Sequence, residues 1–123
     1  MKWAYLALGS LTGGFARYFL AGAAYRALGT SFPYGTLVVN LSGCLFIGFL
    51  DGLAQDKFFL GPHAKMLLMI GFCGAFTTFS TLMLETDNLL RGGEALRAIL
   101  NAGGSLVLGL ILLRIGVALG RLI

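Results

Sequence analysis

GFCGAFTTFSTLMLE, residues 71–85, breaks an otherwise apolar run with Gly71, Gly74, Thr77, Thr78, Ser80 and Thr81, and interleaves Phe72, Phe76 and Phe79 among them. Polar groups inside a bilayer are costly and need a partner or water, so a purely structural span would not gather so many. Gly74 and the Thr77-Thr78 pair also make a regular helix least secure there, because glycine loses the most entropy and hydroxyls compete for backbone groups. The stretch therefore predicts a third membrane helix broken near the midplane. Such a break exposes carbonyls and half-helix ends, and it survives only where it is buried in protein or lines a cavity. Carbonyls of that kind can hold a cation. An unbroken helix, with its hydroxyls bonded back to their own turn, is the competing reading.

The rest of the chain fits a membrane setting. Of its 123 residues 58% are hydrophobic and 11% charged, more apolar surface than a soluble domain of this length hides. One crossing takes about 20 helical residues. Four stretches supply it: Trp3 to Tyr25, Tyr34 to Ala54, Ala64 to Thr86 and Ala95 to Leu119. The expected fold class is an all-α membrane protein with four transmembrane helices, residues 1–123 forming a single four-span domain. The first stretch lacks a clear cleavage site and reads as a retained span. Cys44 and Cys73 lack metal-ligand spacing and read as small buried apolar residues. His63, beside Pro62, reads as a solvated loop residue. The net charge of +4 is scattered singly, which gives no reason to expect a nucleic-acid partner. Without a nucleophile and base in reach, paired carboxylates in a span or a His/Cys cluster, an enzyme is not expected.

Orientation normally follows an excess of Lys and Arg in cytoplasmic loops. Four spans put Lys2, Lys57, Lys65 and Arg121 on one side and Arg26, Arg91 and Arg97 on the other, hardly a bias. A chain that inserts both ways can pair with itself about an axis in the membrane plane. An antiparallel, dual-topology homodimer is therefore expected, with a single orientation as the alternative. Gly9/Gly13 and Gly116/Gly120 permit close helix approach, between subunits or within one.

The polar residues also share a depth. At 1.5 Å per residue, Arg17, Asn40, Thr77 to Thr81, Asn101 and Ser105 lie roughly 8 to 15 Å from one membrane face. Uncharged hydroxyl and amide donors suit a small, strongly hydrated anion, since they replace its water without trapping it. Phenylalanine ring edges can add to this, although Phe72, Phe76 and Phe79 also read as a packing stripe. Arg114 reads as snorkelling to the interface, and Arg17 as either a helix-end anchor or an anion attractor.

Taken together, GFCGAFTTFSTLMLE, Asn40 in VVNLSG and Arg17 in GGFARY resemble the Fluc family of fluoride channels, also called CrcB, over essentially the whole chain. The resemblance implies passive export of cytoplasmic fluoride through two pathways per antiparallel homodimer in a prokaryotic cell membrane, with lipid, fluoride and a second copy as partners. It implies a structural sodium ion held by the backbone carbonyls of Gly74 and Thr77. It places Asn40, Phe79, Ser80, Thr81 and Glu85 on the fluoride pathway and matches Ser105 to a pore serine in span four. The family commonly has a second phenylalanine where this chain has Leu82, and Phe76 is a candidate to compensate. A small dual-topology multidrug transporter is the alternative, but it calls for a carboxylate in span one, where Arg17 stands. A non-transporting scaffold gives no reason for donors to share a depth.

Overall fold

The computed structural model describes residues 1–57 and 60–123, the side chains of Asp56 and Lys57 excepted, so Lys57 enters the charge count above by position alone. Its elements are α1 (Lys2–Leu28), α2 (Tyr34–Lys57), α3 (Pro62–Lys65), a π-helical stretch (Met66–Cys73), α4 (Gly74–Phe76), α5 (Phe79–Arg91) and α6 (Ala95–Leu122). Among the described residues there is no strand. Three stretches are long and apolar enough to cross a membrane: Tyr34–Gln55, Pro62–Arg91 and Ala95–Leu122. At 27 residues α1 has the length, about 40 Å at the helical rise. Arg17 and its small polar residues keep it less apolar than the other three.

The helices form two parallel pairs, each closed by glycine. Along α1, a Cβ on Gly9 would lie 2.1 Å from the Leu67 carbonyl oxygen and one on Gly13 2.3 Å from that of Phe72. The backbones therefore touch, and α1 follows the segment 62–91 over residues 62–76; beyond the break α5 packs on α6 instead. Tyr5 stacks on His63 at one end, with ring centroids 4.6 Å apart, and Tyr25 reaches Glu85 at the other. His63 is exposed, as expected of a solvated residue, but it lies in α3 rather than a loop and stacks on the Tyr5 ring. The second pair is α2 with α6. Gly48 abuts the Leu113 carbonyl and Gly116 that of Leu45, at 2.2 and 2.3 Å from where a Cβ would stand. Both small-xxx-small motifs thus pack within the chain.

Segment 62–91 is interrupted in two ways. Met66–Cys73 winds as a π-helix, an uncommon form that occurs mostly at functional sites. Gly71 lies in it because a Cβ there would meet the Met66 carbonyl oxygen at 2.9 Å and the Gly9 Cα at 3.1 Å. The helix then stops after Phe76 and restarts at Phe79. Thr77 (φ −92°, ψ 157°) and Thr78 (φ −149°, ψ 118°) are extended, so the predicted break is present, two residues long.

Polar and aromatic contacts join the two pairs. Phe46 of α2 meets Phe72 edge-on at 5.9 Å, and Phe72 stacks on Phe76 at 5.4 Å. Nδ2 of Asn101 donates to Thr86 Oγ1 at 3.1 Å, tying α6 to α5. Outside, α1 and α6 expose Leu11, Phe15, Phe19, Ile99, Leu106 and Ile111, apolar faces suited to lipid or a partner chain.

Candidate functional site

The break is held by one side chain. Nδ2 of Asn40 donates to the Thr78 carbonyl at 3.0 Å, and the Thr78 N–H donates to Asn40 Oδ1 at 2.8 Å. The amide thus pairs with Thr78 as a neighbouring strand would, meeting both backbone groups that the missing helical turn leaves open. One Asn40 N–H remains over. Thr78 then caps α5: its Oγ1 accepts from the Thr81 N–H at 3.3 Å and donates to Thr81 Oγ1 at 3.0 Å, with Ser80 Oγ at 3.4 Å. Thr77 Oγ1 bonds back to the Cys73 carbonyl at 3.0 Å, so the back-bonding expected for an intact helix occurs here beside the break.

Two of the resulting orphans are carbonyls. The Gly74 carbonyl loses its helical donor because the Thr78 N–H goes to Asn40, and the Thr77 carbonyl loses its own because the Thr81 N–H goes to Thr78 Oγ1. Gly74 is exposed, and a Cβ there would meet nothing within 4 Å.

Two cavities flank α5. The first, about 450 Å³, is lined by Arg17, Tyr25, Arg26, Thr36, Thr81 and Glu85. Inside it Thr36 Oγ1 and Tyr25 O–H both donate to Glu85 Oε2, at 3.0 and 3.3 Å. Gly35 makes room for this arrangement, since a Cβ there would enter the Tyr25 ring at 2.3 Å. Glu85 Oε1 and Arg17 Nε are buried without a partner among the described residues. The second cavity, about 510 Å³ and mostly apolar, is lined by Asn40, Cys44, Cys73, Phe79, Leu82 and Ser105. Thr78 stands in the wall of both.

The predicted residues thus divide between two chambers that meet at the break. Arg17, Thr81 and Glu85 lie in the first, and Asn40, Thr77, Phe79 and Ser105 in the second. Ser80 is exposed beside Thr78. Phe79 opens α5 with 73% of its surface exposed, whereas Phe76 is 7% exposed in the stack with Phe72. The stripe reading therefore describes Phe72 and Phe76, and Phe79 stands apart from it. Sequence reasoning passed over Thr36 and Tyr25. Thr36 had a signal, four residues before Asn40 and so on the same face of α2; Tyr25 had none.

The chain matches known proteins over nearly its whole length. Residues 4–117 match the family of CrcB-like proteins described as Camphor Resistance (CrcB). The fluoride-specific ion channel FluC of Maridesulfovibrio salexigens is 45% identical over 122 residues, 99% of this chain and 97% of its own. That of Nitratidesulfovibrio vulgaris (strain DSM 19637 / Miyazaki F) is 47% identical over 96% and 95% of the two chains. That of Chlorobaculum tepidum is 49% identical over 93% and 90%. Relatives of this kind, with several membrane-crossing helices here, make this a multi-pass cell-membrane protein and not an enzyme. The chain belongs to the CrcB family.

Proposed function

We propose that the chain is a fluoride channel subunit that lets fluoride leave the cytoplasm down its gradient. The observation that carries this reading is the two-residue break clamped by Asn40, with Thr78 in the wall of both chambers. Arg17 gives the first chamber a positive charge. Hydroxyls of Thr81 and Ser80 follow, then the Phe79 ring edge, the remaining Asn40 N–H and Ser105; Thr78 spends its own hydroxyl hydrogen on Thr81. Donors without charge replace water around a halide and release it again. Tyr25 and Thr36 spend their hydroxyls on Glu85, and Phe76 serves the stack that supports the break.

The proposal extends to the assembly. Because α1 is 27 residues long and packs against residues 62–76 of segment 62–91, it crosses beside that segment, giving four spans. Two copies in opposite orientation would cover part of these apolar faces and complete two pathways. The exposed Gly74 and the freed carbonyls of Gly74 and Thr77 fit a sodium ion shared between the copies. When bound, that ion supplies a fixed positive charge that neutralises carbonyl dipoles at the junction.

Vesicles loaded with fluoride and reconstituted with the purified protein test this directly. Fluoride release without any coupled ion, and no chloride release on that timescale, is the expected result. Proton-coupled cation exchange would replace the reading with the transporter. Phe79→Leu removes the ring edge and is expected to slow fluoride release about three- to tenfold. Unchanged release by that variant would take Phe79 off the pathway.

A further inference from the structure

Asn101 and Ser105 are successive inward positions on α6, 1% and 9% exposed. Asn101 Oδ1 and Ser105 Oγ are both buried, and neither has a hydrogen-bond partner among the described residues. The hydrogen-bond network decides which way the Asn101 amide faces. Thr86 has one hydroxyl hydrogen, and it goes to the Leu82 carbonyl at 2.7 Å. Towards Asn101 the Thr86 oxygen can therefore only accept, so Asn101 must present its NH₂ at 3.1 Å. The amide oxygen is left facing inward, as an acceptor that cannot donate to an anion. Asn101 thus leaves the set of donors gathered at this depth, and its oxygen calls for a donor.

We infer that a water molecule bridges Asn101 Oδ1 and Ser105 Oγ, making Asn101 a positioning residue for the Ser105 hydroxyl. Side chains four apart on a helix share a face, and these two make no direct bond to each other, which leaves both open to one bridging water. Buried waters occupy such sites, between polar groups that otherwise lack partners. The water donates one hydrogen to Asn101 Oδ1 and the other to Ser105 Oγ. Ser105 then keeps its own hydrogen free, and it lines the second chamber. The water therefore fixes Ser105 as a donor towards whatever passes there. This role rests on the channel reading; the water site itself does not.

A double-mutant cycle on vesicle fluoride release, with the full chain, tests the coupling. Ser105→Ala and Asn101→Leu are each expected to slow release about tenfold, the worth of one hydrogen bond to an ion. The double variant is expected to be no more than about twofold slower than either, since both remove the same donor. Multiplicative slowing to about a hundredfold, or an Asn101→Leu variant as fast as the unmodified chain, would overturn the inference. A high-resolution crystal structure reads the site without any transport assay. Density for a water at about 3 Å from both atoms supports it; a partner-chain group in that place, or a direct bond between the two side chains, overturns it. Were the unmodified chain to release no fluoride, the channel reading would fail while the crystallographic result still decided the water.

Discussion

Asn40→Ala is expected to unfasten the break and stop most of the flux. The substitution leaves the Thr78 N–H and carbonyl without the partners they have at 2.8 and 3.0 Å. An orphaned buried backbone group costs about 1–3 kcal/mol, so two of them cost about 2–6 kcal/mol together. A loss at the lower end, felt where the two chambers meet, slows fluoride release about thirtyfold. Asn40→Asp is a sharper probe. It keeps an acceptor for the Thr78 N–H but sets a carboxylate oxygen against the Thr78 carbonyl, and its charge opposes an anion. Its flux is expected to fall below that of Asn40→Ala. Thermal unfolding of the purified variants and vesicle release check both readings. An Asn40→Ala protein with native unfolding midpoint and native flux would remove the clamp from the mechanism.

The largest effect on stability is expected from Gly48→Ala combined with Gly116→Ala. The added methyl groups would fall 2.2 and 2.3 Å from the carbonyl oxygens of Leu113 and Leu45. An ordinary carbon–oxygen contact is about 3.3 Å, so α2 and α6 must separate by roughly 1 Å. Both obstacles are backbone, which has no rotamer to change. Overpacking of this kind costs about 1–3 kcal/mol per site and occasionally more, and the pair is expected to lose about 4 kcal/mol. The separation also moves Asn40 and Ser105 apart, because each is carried on one of these helices. Gly103→Ala is the control: nothing lies within 4 Å of its Cβ, and alanine favours the helix. That variant should unfold at or above the native midpoint. Equal behaviour of the control and the double variant would mean that the α2–α6 contact does not limit stability.

The features written in local sequence were legible there. Span lengths follow from apolar runs, and Gly74 with Thr77-Thr78 announced where segment 62–91 would fail as a helix. The glycine pairs announced close approach, though not that both serve contacts within the chain. What escaped depends on segments distant in sequence. Nothing near Asn40 says that its amide turns to Thr78, which is 38 residues away. The Tyr25, Thr36 and Glu85 cluster draws on three separate helices. The relation of Phe76 to Phe79 was hidden for another reason. Three residues apart on one helix, they would share a face. The two extended threonines between them discard that phase, leaving one ring in the core and the other outside. The π-helical winding had no signal either, because MLLMIGFC is apolar on every side.

That winding has a consequence for how the segment tolerates change. In an α-helix an inserted residue turns everything beyond it by roughly 100°. A π turn takes in the extra residue where it stands, so the azimuth of the chain beyond is preserved. Only α4, three residues long, separates Met66–Cys73 from the polar gap. Length variation in that stretch can be absorbed before it reaches Thr77, and the bearing of Phe79 is insulated from the loop that leads in.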